Sequence, residues 1–293
     1  MIGAVFARAQ AERRAALIGY LPAGFPSRSG CVAAVAAMVE AGVDLVEIGL
    51  PYSDPLMDGP TIHAAVDRSL AAGIRTRDVL ATAGAAARTG VPVLVMTYWN
   101  PVERYGVERF ATELAAAGGS GVITPDVSPE EAVPWLAACA GSGLDPVLLL
   151  APSSTDARIA RIAAVCGGFV YAASTMGVTG ARAAVSTVAP ALVARVRAVT
   201  ELPVAVGLGV SNGMQAGEVA AYADGVIVGS AFVRVLLDAP DEEAGIAAVT
   251  ELAADLAAGV RRRNVGVIPV SSTEPGLARS HRATLDGTRK GPT

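Results

Sequence analysis

The chain has 293 residues and a formal net charge of −4. Hydrophobic residues make up 52% and aromatic ones 4%, so the core must be built from Ala, Val, Leu and Ile, which suits parallel strands buried on both faces. The length fits one large domain, and with no basic stripe to neutralise phosphates the chain is not read as a nucleic-acid binder.

The first residues, MIGAVFARAQAERRAA, carry three arginines and one glutamate. They lack an apolar signal-peptide core and are expected to form an extra N-terminal helix. No run of about 18 uninterrupted apolar residues follows, so no membrane span is expected. Cys31, Cys139 and Cys166 are far apart and form no CxxC motif. They read as free thiols in a reducing, cytoplasmic setting.

From there, short β-branched runs alternate with Ala-rich helical stretches. The runs span 16–21, 45–50, 92–98, 121–125, 146–151, 168–173, 203–207 and 225–228. Helical patterns cover 29–41, 102–117, 129–140, 155–166 and 242–263. Such βαβ alternation implies a parallel sheet with right-handed crossovers. Eight units fit a single α/β domain, a (β/α)8 TIM barrel, better than an open doubly wound sheet, though an open sheet with extra edge strands reads similarly. The segment after the second run, 51–60, is long, and a further helix is expected over 61–72. Long βα loops in barrels usually carry function. The catalytic domain is placed at 1–270, and the polar stretch 271–293 is read as a disordered tail.

In a barrel the chemistry lies at the C-terminal strand ends. Glu47 stands in the apolar run LVEIGL. It is either a carboxylate paired with an arginine or a general acid/base whose pKa burial raises. Asp54 and Asp58 in PYSDPLMDGP are either turn residues or catalytic acids. The sixth, seventh and eighth runs end in STMGVTGA, GLGVS and GSA. Three glycine clusters on consecutive strand ends point to a phosphate cradle of backbone amides. GLGVSNG is not a dinucleotide fingerprint, because it does not follow the first strand of a Rossmann unit.

The rest of the inventory narrows the reaction. The sole lysine is Lys290, and the histidines are His63 and His281. A Schiff-base aldolase, or pyridoxal phosphate bound to this chain, would need a core lysine. A metal-dependent aldolase would need several histidine ligands, so no metal site is expected. Carboxylates, hydroxyls and amides remain. Two carboxylates can break a carbon–carbon bond if the substrate is its own electron sink, as an indole protonated at C3 is.

Several motifs resemble those of the tryptophan synthase α subunit family. They are VEIGLPYSDPLMDGPTI from Val46, IGYLPAGFP from Ile18, YWNP from Tyr98, ITPD from Ile123, STMGVTGAR from Ser174, GLGVS and VGSA. The resemblance covers residues 5–263. It implies reversible retro-aldol cleavage of indole-3-glycerol phosphate to indole and glyceraldehyde 3-phosphate. It implies Glu47 as acid/base and Asp58 as the carboxylate that binds the indole N–H. It also implies Tyr171 near Glu47, Tyr20 and Leu50 along the indole pocket, Thr179 bonding Asp58 when the sixth loop closes, and phosphate contacts from Gly180, Gly209, Gly229 and Ser230. Asp54, Pro55, Tyr98 and Asn100 are then expected to face a β subunit in an α2β2 assembly. No cofactor is expected in this chain, and pyridoxal phosphate is expected in that partner.

The chain departs from the family at several points. His63 stands where glutamine is frequent, Ser128 where proline is common, and Thr175 and Met176 replace an arginine-bearing sixth loop. A stand-alone lyase releasing free indole and a non-catalytic activator of a β subunit remain open alternatives. Intact Glu47 and Asp58 speak against the second.

Overall fold

The computed structural model describes residues 1–173, 188–207 and 209–262. Its strands are β1 (Ala16–Pro22), β2 (Leu45–Gly49), β3 (Val93–Met96), β4 (Gly121–Thr124), β5 (Asp145–Leu150), β6 (Val170–Ala173), β7 (Val204–Gly207) and β8 (Gly225–Val228). They form a closed parallel barrel in sequence order. β8 closes it on β1, with Ala16 paired to Gly225 and Gly19 to Val228. The helices around it include α2 (Arg28–Glu40), α3 (Pro60–Ala71), α4 (Thr76–Ala87), α5 (Trp99–Tyr105), α6 (Val107–Ala116) and α7 (Val133–Ser142). They continue with α8 (Asp156–Val165), α9 (Val188–Arg197), α10 (Gly213–Ala220), α11 (Ser230–Asp238) and α12 (Glu242–Arg261). The chain is therefore a TIM barrel, and α1 (Ile2–Ala11) is its extra N-terminal helix.

Strand alternation sorts each side chain to one of two cores. On β2, Val46 and Ile48 pack toward the surrounding helices, while Leu45 packs inside the barrel. The inner core contains Ile18, Leu45, Leu94, Ile123, Val147, Phe169, Ala205 and Ile227. Ile2, Val5, Phe6 and Ala9 of α1 join it from the N-terminal mouth, with the Phe6 and Phe169 rings 5.5 Å apart. A Cβ on Gly168 would meet Ile2 at 2.8 Å, so glycine lets α1 approach the barrel floor. Arg14 fixes this plug. Its guanidinium donates to both oxygens of Asp44 at 2.6 and 2.8 Å, and Asp44 also accepts the Leu17 N–H at 2.9 Å.

Two expected helices differ. The pattern over 102–117 is two helices, α5 and α6, broken at Gly106, whose φ of 101° lies outside the helical region. The helix expected over 129–140 begins at Val133, because Pro134 lacks an N–H and fits the first turn. The extended loop after β2 and the helix beyond it are present as expected, with α3 opening at Pro60. Among the described residues no helix is long and apolar enough to cross a membrane. The segment 271–293, and with it the boundary at 270, lies outside the described residues.

Candidate active site

The inward positions of β2 run Leu45, Glu47, Gly49. Glu47 pairs in register with Tyr20 on one side and Leu94 on the other, so it points into the upper barrel. Its side chain is 1% exposed. Neither carboxylate oxygen has a hydrogen-bond partner among the described residues. Burial raises its pKa from the ordinary 4.5 to about 8. The alternative of an arginine-paired structural carboxylate is therefore not what the barrel holds.

Glu47 opens onto a cavity shared with Tyr20, Asp58, Tyr171, Gly209, Gly229 and Ser230. Two glycines make room for its aromatic walls. A Cβ on Gly49 would lie 2.2 Å from the Tyr20 hydroxyl, and one on Gly207 would lie 2.6 Å from the Tyr171 hydroxyl. Burial pushes the pKa of both phenols well up, and the Glu47 charge adds to the effect on Tyr171. Both rings thus remain neutral donors at ordinary pH.

Asp58 reaches the cavity from the irregular segment between β2 and α3. Its Oδ1 accepts a hydrogen bond from the Tyr98 hydroxyl at 3.3 Å, and the same hydroxyl accepts the Met57 N–H at 3.1 Å. Burial raises the Asp58 pKa, while the Tyr98 hydrogen bond and the charge of His63 oppose that rise. His63 itself sits on α3 with its Nδ1 3.2 Å from Asp67.

The far wall can hold an anion. Gly209 has φ 71° at the end of β7. Gly229 and Ser230 open α11, whose N-terminus has no side-chain cap among the described residues. The first-turn amides of α11 are therefore available to a ligand. α10 differs, because Asn212 caps it by accepting the Gln215 N–H. Among the described residues no group of three His, Cys, Asp or Glu is arranged to hold a metal.

The remaining expected residues fall elsewhere. Leu50 does not line this cavity. It lies one position past Gly49, on the outward parity, and lines a separate cleft with Ile74 and Val79. Tyr98 was expected on a partner-facing surface, but it is 5% exposed. It turns inward because its hydroxyl has partners in the β2–α3 segment. Asp54 and Asn100 are exposed and Pro55 is half-buried, with Asn100 Nδ2 donating to the Tyr52 hydroxyl at 2.9 Å. Thr179 and Gly180, with Thr175 and Met176, lie outside the described residues. The sequence reading missed Met57, Ile62, Met96, Leu149, Ala173, Gly207 and Ile227 as cavity walls. Met96, Leu149 and Ile227 carry no local signal, since strand register turns them inward.

Residues 6–261 match the model of the tryptophan synthase alpha chain family. The chain belongs to that family. A tryptophan synthase alpha chain of Salinispora tropica is 60% identical over 260 residues, covering 89% of this chain and 97% of the relative. That of Thermobifida fusca is 58% identical over 258 residues, covering 87% and 96%. Among solved structures, a Mycobacterium tuberculosis tryptophan synthase chain superposes with a TM-score of 0.84 at 55% identity, covering 89% of this chain and 98% of that one. As a member of the tryptophan synthase alpha chain family, the chain is a lyase of tryptophan biosynthesis.

Proposed function

We propose that the cavity between Glu47 and Asp58 is where indole-3-glycerol phosphate is cleaved to indole and glyceraldehyde 3-phosphate. The observation that carries this reading is Glu47, a fully buried carboxyl without a partner among the described residues, which keeps its proton to about pH 8. A structural carboxylate would be paired, whereas a proton donor at neutral pH must be protonated and must face the reactants.

The steps balance on these residues. The α11 amides and Gly209 hold the phosphate, with Gly180 as a further contact. Tyr20 forms a wall beside the indole. Glu47 gives its proton to indole C3, leaving a cationic indolenine whose N–H is held by the Asp58 carboxylate. The Glu47 carboxylate then takes the proton of the glycerol hydroxyl. Its oxygen becomes the aldehyde, the carbon–carbon bond breaks, and the bonding pair returns to the ring as neutral indole. Glu47 ends protonated as it began. Tyr171 stands beside it as a neutral phenol, and Thr179 joins Asp58 when the sixth loop closes over the substrate and excludes water.

The outer face of the β2–α3 segment suits a protein partner. Asp54 is exposed beside Leu56, a large apolar side chain 74% exposed. With Pro55 and Asn100 it is assigned to a tryptophan synthase β subunit in an α2β2 assembly. That partner holds pyridoxal phosphate and consumes the indole. The assembly is placed in the cytoplasm.

Indole release by the purified chain, with and without β subunit, tests the whole reading. Glu47→Gln should lose on the order of 10²–10⁴-fold in rate while still binding a non-cleavable indolyl alkyl phosphate. Asp58→Asn should lose less, since its amide still accepts a hydrogen bond. Substantial turnover by Glu47→Gln would sink the assignment. Equal rates with and without β would favour a stand-alone lyase.

A further inference from the structure

We propose that Tyr98 is the positioning residue for Asp58, its hydroxyl gripping the β2–α3 segment on both sides of the Asp58 backbone nitrogen. The inference rests on the role given to Asp58 above.

Asp58 has no strand or helix of its own to hold it. The segment from Leu50 to the start of α3 carries no regular structure, and such segments sample many conformers unless tied down. Tyr98 supplies a tie from the framework. It lies two residues past the end of β3 and is the N-cap residue of α5. The next residue is anchored in turn, because the Trp99 N–H is bonded by both oxygens of Asp126 at 2.9 and 3.1 Å. The Tyr98 ring is buried and packs on Tyr52 at 5.6 Å between centroids. Its hydroxyl therefore occupies a fixed point.

What the hydroxyl bonds is specific. It donates to the Asp58 side chain and accepts from the backbone of Met57. One phenol has one proton to give, and it gives it to the carboxylate. That polarity matches the ionised form of Asp58, the form that would stabilise a cationic indolenine. A phenylalanine in the same seat would keep the packing and lose both bonds.

Asp58 also faces other groups that bear on its charge. Tyr20 reaches it from β1, Glu47 lies across the cavity on β2, and His63 approaches from α3. The two phenols stay neutral through the working range, since burial pushes both up. Of these neighbours, Tyr98 and His63 are the ones that lower the Asp58 pKa.

The test is a double-mutant cycle on the full chain with Tyr98→Phe, Asp58→Ala and the pair, read as single-turnover indole release with enzyme in excess. Tyr98→Phe should lower kcat/KM roughly tenfold. It should move the acid limb of the pH profile up by about half a unit to one unit, because the ionised carboxylate loses a donor. The same shift should persist on a His63→Gln background, where no imidazole titrates. On an Asp58→Ala background, which leaves the Tyr98 hydroxyl no side-chain acceptor at position 58, Tyr98→Phe should change the rate less than twofold. Tyr52→Phe, which removes the Asn100 bond from the neighbouring ring, should leave the acid limb in place.

An undiminished tenfold loss on the Asp58→Ala background would overturn the proposal, since Tyr98 would then act independently of the Asp58 side chain. A wild-type rate and acid limb in Tyr98→Phe would overturn it as well. Wild-type turnover by Asp58→Ala itself would bring down the assignment of Asp58, and the positioning role with it.

Discussion

At the scale of the residue, Glu47 carries a stability cost that its chemistry explains. A buried carboxyl with no partner among the described residues forfeits hydrogen bonds it would have in water. The folded protein holds this proton to about pH 8, while an unfolded glutamate releases it near 4.5. Between those values the folded form binds more protons than the unfolded one, so this group makes stability fall as pH rises. Glu47→Gln removes the titration. Urea unfolding at a series of pH values should show a flatter profile between about pH 4.5 and 8 in that variant. An unchanged slope would mean that Glu47 ionises normally in the fold. Glu47 was legible in the sequence because a charged residue between Val46 and Ile48 cannot escape a dry environment. The choice of Asp58 over Asp54 came from family resemblance, since both sit in good turn sequences. The inward turn of Tyr98 was not legible, because its bond to Asp58 spans 40 positions and no local pattern encodes it.

At the scale of the element, α11 is the piece whose sequence and function coincide most directly. It opens on Gly229 with no side-chain cap among the described residues, directly against the cavity. Uncapped amides and the positive end of the helix dipole favour an anion there. Ser230→Asp would place a permanent carboxylate in that first turn. It should stabilise the helix itself by roughly 0.3–1 kcal/mol and repel the substrate phosphate. KM for indole-3-glycerol phosphate should rise at least about tenfold, each factor of ten being ~1.4 kcal/mol of lost binding, while the melting temperature does not fall. An unaltered KM would place the phosphate elsewhere. The glycines after β7 and β8 stand at this wall, while the cluster after β6 lies outside the described residues; β-branched runs announced the strands. Helix limits were less legible where backbone geometry decided them. The Ala-rich pattern over 102–117 continues through Gly106 without a break, and it took the φ of 101° to divide it. Leu50 was misplaced for a related reason. The apolar run hides which parity faces inward until the register of Glu47 with Tyr20 is known.

At the scale of the whole molecule, the barrel separates what it does from what holds it together. The cavity lies at the C-terminal strand ends, and α1 plugs the opposite mouth. Between them lies the inner core that includes Ile18, Leu94 and Ile123. Strain or loss at the floor should therefore lower stability without changing the site, the division expected of this architecture. Phe6 tests it. Its ring is 4% exposed and contacts Phe169 at 5.5 Å. A Cβ on Gly225 would come within 3.1 Å of it, so the ring packs close against β8. Phe6→Ala removes that ring from a packed interior, and such truncations cost about 3–5 kcal/mol, because surrounding atoms collapse only partly into the space left. The loss should appear as an earlier urea midpoint with an unchanged denaturant slope. In the folded fraction, KM for indole-3-glycerol phosphate and the pH limbs assigned above to Glu47 and Asp58 as part of the proposal should match wild type. A shifted limb or an altered KM would show that packing at the floor reaches the upper barrel, and that the inner core transmits strain along its length instead of isolating one mouth from the other.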